Sequence, residues 1–231
     1  MKADQKVWFK WMFNYSIGEL TGIGAAAIVG RLLFISFNTQ GVQPAFLTTA
    51  VLIMAGASEG LIIGYIQWKS LSRLVSNFKP TVWIITTSLS AIAGWLLILP
   101  PAIVFISFLS RLHIVQNSYL PFYAGLAGLA FGGVMGIPQF FIIRRFYKAS
   151  VGWIMANALG WMFSFLVVYG ALQMFSDHST FYNVVIIVGS CILSGFVQGV
   201  ITGTLLHFIM SARKEHEVKG LVNRQSINSQ R

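Results

Sequence analysis

Residues 55–71 read AGASEGLIIGYIQWKSL. Glycines stand at 56, 60 and 64, one helical turn apart, and Glu59 is the only charge before Lys69. Positions four apart share one face of a helix. The run therefore describes an apolar helix with a seam of small residues and one acid beside it. It belongs to a longer apolar stretch, 45–68, and a hydrocarbon core ~30 Å thick needs about 20 such residues of helix. Five further stretches qualify: 11–37, 81–110, 122–143, 151–175 and 181–210. Their length and lack of period-2 alternation exclude barrel strands. Pro100-Pro101 is expected to end the regular part of the third.

Composition agrees. Of 231 residues, 56% are apolar and 10% charged, against about 25% charged in a soluble domain. Disorder requires the opposite balance. The first stretch is read as a retained span and not as a signal peptide, because it is too long and Asn14, Ser16, Glu19 and Thr21 interrupt it.

All basic residues except Arg31 and Arg111 fall in the segments that a six-span chain places on one side. Lysine and arginine concentrate in cytoplasmic loops, so both termini are expected in the cytosol. This bias accounts for the net charge of +10 without nucleic acid. The expected surroundings are the bilayer, with anionic lipid headgroups on the cytosolic side. Residues 212–231 read as a polar cytosolic tail. Residues 102–120 read as a short amphipathic element at the outer interface.

The opening pattern recurs. Glycines at 128, 132 and 136, and at 195, 199 and 203, repeat the spacing. Ahead of each set lies a tryptophan followed seven residues later by Gly or Ser: Trp11–Gly18, Trp83–Ser90 and Trp153–Gly160. From that small residue to the middle glycine is 42, 42 and 39 residues. The period is about 70 residues. The expected fold is an all-α membrane protein in a single transmembrane domain, 1–231. Its six helices form three tandem hairpins (about 8–79, 80–150 and 151–210) around a pseudo-threefold axis along the membrane normal. Glycine zippers of this kind let helix backbones approach closely.

The run Gly60-x3-Gly64-x-x-Gln67-Trp68, a basic loop and then Trp83 resemble a group of uncharacterised bacterial multi-pass membrane proteins. So do Gly132-x3-Gly136-x-x-Gln139, Trp153 with Asn157, and Gly199-x3-Gly203. The resemblance implies a six-helix fold in a bacterial inner membrane and no particular activity. Mitochondrial carriers also have three two-helix repeats, but the Pro-x-Asp/Glu signature of those repeats is absent here.

An ionisable residue inside a membrane helix is a functional-site candidate by default. Glu19, Glu59 and, at a boundary, Arg31 qualify. Glu19 and Glu59 should lie at one depth, about 12–14 Å from the basic side by helix rise. Two carboxylates in a dry site resist ionising together, so such a pair holds a proton or binds a cation. In the repeat register Glu59 aligns with Phe131 and Gln198, and Glu19 with Ala91 and Trp161. A lower polar layer is expected from Asn14, Gln67, Gln139, Asn157 and His207. The candidate ion-binding set is Glu59, Glu19, Gln198, Gln67, Gln139 and Asn157. The competing reading makes the acids hydrogen-bonded glue, the glutamines interfacial anchors, and Trp11, Trp68, Trp83 and Trp153 an aromatic belt.

Walker, His-Glu-x-x-His and Gly-x-Ser-x-Gly motifs are absent, and Cys191 is the single cysteine. Neither enzymatic activity nor a metal or cofactor is expected. The expected function is a small proton- or cation-linked transporter or channel. The alternative is a non-catalytic accessory or scaffold subunit, with a membrane-protein partner or a second copy of the chain.

Overall fold

The computed structural model describes residues 3–38, 44–72, 78–111, 117–146, 151–175 and 180–228. Seven α-helices follow one another: α1 Ala3–Asn38, α2 Pro44–Leu71, α3 Pro80–Leu97, α4 Leu99–Arg111, α5 Leu120–Ile143, α6 Val151–Gln173 and α7 Thr180–Asn228. One 3-10 turn, Asn117–Tyr119, precedes α5. Prolines open α3 and α5, where the missing N–H has no helical partner to lose. Helix α3 ends at Leu97, just ahead of Pro100-Pro101 as expected, and the two prolines stand in the first turn of a further helix, α4. Pro138 is contained within α5, which continues to Ile143. Helix α7 runs on from the apolar stretch through the polar residues to Asn228.

Five segments among the described residues are long and apolar enough to cross a membrane: Thr48–Leu71, Pro80–Leu109, Leu120–Ile143, Val151–Gln173 and Thr180–Phe208. This is the pattern of a multi-pass integral membrane protein. The stretch 11–37 is helical within α1 but does not join those five.

The helices form a closed ring. Helix α1 packs on α2, α2 on α3, α3 on α5, α5 on α6, α6 on α7, and α7 back on α1. Paired contacts make every neighbour antiparallel. Gly56 meets Ile92 and Gly64 meets Ile84 across the α2–α3 seam. Gly128 meets Trp161 and Gly136 meets Ile154 across α5–α6. Gly195 meets Ser16 and Gly203 meets Trp11 across α7–α1. The glycine-bearing helices α2, α5 and α7 thus lie on α3, α6 and α1. A Cβ placed on Gly56 would stand 2.5 Å from Ile92 Cα, and one on Gly199 would stand 2.7 Å from Met12 Cα. Backbone-to-backbone packing of this kind tolerates no side chain.

Lys10, Lys69, Lys79, Arg144 and Arg145 lie near one end of the ring, where α1 begins and α7 runs on. Arg111 ends α4 at the other. Arg73 and Lys148 fall outside the described residues, and the side chain of Arg31, within α1, is likewise outside them.

Gly132→Ala should lower the midpoint of thermal unfolding in detergent, at a cost of about 1–3 kcal/mol for overpacking. Its Cβ would strike the α6 backbone at Asn157 and Ala158. Gly133→Ala, whose Cβ meets nothing within 4 Å, should leave the midpoint unchanged or raise it slightly.

Candidate functional site

The ring encloses two polar layers of opposite character. The first lies toward the basic end. Trp11, Trp83 and Trp153 meet there, with Trp153 edge-on to the other two at ring-centroid distances of 6.2 and 6.0 Å. Their exposures are 2%, 0% and 0%. The aromatic-belt reading is therefore overturned for these three. The glycine seams bring the helices close enough to turn the indoles inward, where their N–H groups must find acceptors. Trp68 is half-buried and donates to the Phe78 carbonyl at 3.0 Å.

The acceptors are the repeated glutamines. Trp83 Nε1 donates to Gln67 Oε1 at 3.2 Å, and Trp153 Nε1 donates to Gln139 Oε1 at 2.8 Å. Gln139 Nε2 donates in turn to Gln67 Oε1 and to Thr87 Oγ1, at 3.1 and 2.9 Å. Gln67 Nε2 donates to the Tyr15 hydroxyl at 2.8 Å. Both glutamines are fully buried, which corrects their reading as interfacial anchors. They satisfy indole and hydroxyl groups that would otherwise be stranded, at about 1–3 kcal/mol each.

Three residues after its last seam glycine, α7 has Leu206 where α2 and α5 have glutamine. Trp11 Nε1 instead donates to Thr202 Oγ1 at 2.9 Å, one turn away on α7. Asn157 is buried and donates to the Trp153 carbonyl at 2.9 Å. The expected lower layer therefore divides. Asn14 is half-buried beside a groove on the outside of the ring, and His207 is half-buried at the edge of another.

The second layer lies deeper. Glu19 and Glu59 are 0% and 1% exposed. Gly22, one turn beyond Glu19 on α1, faces Glu59: a Cβ there would lie 3.1 Å from Glu59 Cα. Glu19 packs against Gly195 of α7, and Gln198 stands one turn beyond Gly195 on the same helix. Trp95 Nε1 donates to Glu59 Oε2 at 2.6 Å. Glu59 Oε1, both carboxylate oxygens of Glu19 and both polar atoms of Gln198 have no hydrogen-bond partner among the described residues. Trp161 Nε1 and Asn157 Oδ1 share that condition. Phe131 and Trp161, with ring centroids 4.4 Å apart, fill the opposite side of this layer.

All six positions singled out by the repeat register, Glu19, Ala91, Trp161, Glu59, Phe131 and Gln198, are buried. Gln67 and Gln139 belong instead to the satisfied layer, away from the acids. Sequence reading missed Trp95 and Tyr15, and it missed Thr87 and Thr202 as hydrogen-bonding groups. Thr87 and Tyr15 had a signal, since with Asn157 they occupy one position of the repeat, four residues after each core tryptophan. Thr202 and Trp95 had none.

Three carboxylate oxygens and the Gln198 amide oxygen are thus open acceptors, with two unused donors, Gln198 Nε2 and Trp161 Nε1, buried in the same layer. A proton on one carboxyl supplies a donor, and a small cation supplies charge to several oxygens at once. Among the described residues no group of three His, Cys, Asp or Glu side chains is placed to hold a metal ion. No family model, curated protein or solved structure matches this chain.

Gln139→Leu strands the Trp153 indole and removes the donor to Thr87. It should destabilise the protein by about 1–3 kcal/mol, read as a lowered unfolding midpoint with ultraviolet-excited tryptophan emission altered.

Proposed function

We propose that the chain is a small proton- or cation-linked transporter or channel of a bacterial inner membrane. In this reading six spans form three hairpins about a pseudo-threefold axis, with both termini cytosolic. Glu19 and Glu59 are the binding pair, and Gln198 supplies an amide to whatever they hold. One observation carries the reading. Three of the four carboxylate oxygens, and both ends of the Gln198 amide, are buried at one level without a partner among the described residues. Glue would be expected to have its hydrogen bonds made, as the Gln67–Gln139 layer does.

The Trp11–Trp83–Trp153 cluster occupies the axis between this level and the basic end. It is the barrier that an ion arriving from that end must displace. The same cluster favours a second reading, a non-catalytic accessory or scaffold subunit, because a filled axis suits a static bundle. No step of either reading involves enzymatic chemistry.

Reconstituted in liposomes, the wild type should carry protons or a monovalent cation down an imposed gradient, and Glu59→Gln should reduce the flux at least about tenfold, the usual scale for removing a charged group from a buried site. Glu19→Gln should also reduce it. Absence of wild-type flux would discredit transport, and a stable partner retained through purification in mild detergent would then support the scaffold reading.

A further inference from the structure

The outer face of the α1–α2 pair has a groove of about 520 Å³. Its polarity is ordered along the helices. At the end nearest the start of α1 stand Lys10 and Asn14, with Lys69 and Ser70 opposite them on α2. Deeper, Phe13, Ile17 and Ile66 line it. From Lys10 to Ile17 is about 10 Å of helix rise. Lys10, Phe13, Ile17 and Lys69 are exposed, so the groove opens to whatever surrounds the bundle.

The two cations have no counter-charge there, since no acidic residue lines the groove among the described residues. Glu19 and Glu59 are buried on the inner side of the same helices. The Lys69 ammonium stands 5.7 Å from the Tyr65 ring centroid, which steadies it at the groove's edge. In the repeat register the two lysines correspond to Val82 and Phe141 in the second hairpin, and to Gly152 and Phe208 in the third. The doubly cationic groove is thus confined to the first hairpin.

A charged mouth above an apolar floor, opening sideways at the end of a membrane span, matches a molecule with an anionic head and a hydrocarbon tail. We propose that this groove binds one anionic phospholipid. The phosphate sits between Lys10 and Lys69, Asn14 donates to the headgroup, and an acyl chain lies along Phe13, Ile17 and Ile66. Basic pockets between membrane helices hold lipid headgroups in this way. The site requires that the bundle sits in a bilayer and is independent of any transport activity.

The test titrates the full-length protein in mixed micelles with phosphatidylglycerol or phosphatidylcholine and reads bound lipid by native mass spectrometry. One phosphatidylglycerol should be retained in preference to phosphatidylcholine. Lys10→Gln with Lys69→Gln should weaken that binding roughly thirtyfold, on the order of fivefold per lysine, and Lys10→Arg with Lys69→Arg should restore it. Arg144→Gln with Arg145→Gln, which removes the same charge from another loop, should leave it unchanged. Equal losses in the two neutralised variants would reduce the effect to general surface charge and overturn the site. So would indifference between the two lipids, or displacement by excess inorganic phosphate, which would make the ligand a free anion.

Discussion

Contact between helix backbones at the glycine seams is the constraint from which the interior follows. Lipid tails are as apolar as leucine, so burying hydrocarbon gives membrane helices little reason to associate. What remains is close packing and polar pairing. At Gly56, Gly60 and Gly64, at their counterparts on α5, and at Gly195 and Gly199 on α7, the missing side chains let the next helix come within backbone contact. That proximity turns Trp11, Trp83 and Trp153 inward and brings Gln67 and Gln139 within hydrogen-bonding reach of each other. Side chains at the seams would push the helices apart and separate the network.

The interior therefore differs with depth: the glutamine amides have their hydrogen bonds made, and most of the carboxylate oxygens do not. Gln67 and Gln139 each use both ends of their amides. Glu59 uses one oxygen on Trp95, and Glu19 uses neither. Buried polar groups are nearly always paired in folded proteins, so the two halves of one bundle follow different rules. The same helices, α1 and α2, turn acids toward the centre and lysines toward the outside.

Much of this was legible in the sequence. Segment positions followed from apolar length, and the glycine spacing identified the contact faces, because both depend on local periodicity. Burial of Glu19 and Glu59 followed from the cost of charge in hydrocarbon. The tryptophans were misread because position near a segment's end resembles an interfacial anchor, and rotation about the helix axis decides which it is. Trp11 and Trp68 lie at similar depth, yet the first is buried and the second half-exposed. The glutamines were misplaced for the same reason. Trp95 as the partner of Glu59 depends on how α2 and α3 are registered against each other, and no single helix carries that information.

Closure of the ring between α1 and α7 has a consequence for biosynthesis. The helix that covers Glu19, through Gly195, is made after every other helix of the ring, whereas Glu19 lies on the first of them. Once α2 is in place the acid has that helix beside it but still lacks its final neighbour. A nascent chain therefore holds an incompletely covered carboxyl group until α7 docks, and a chain stopped before residue 195 would never cover it.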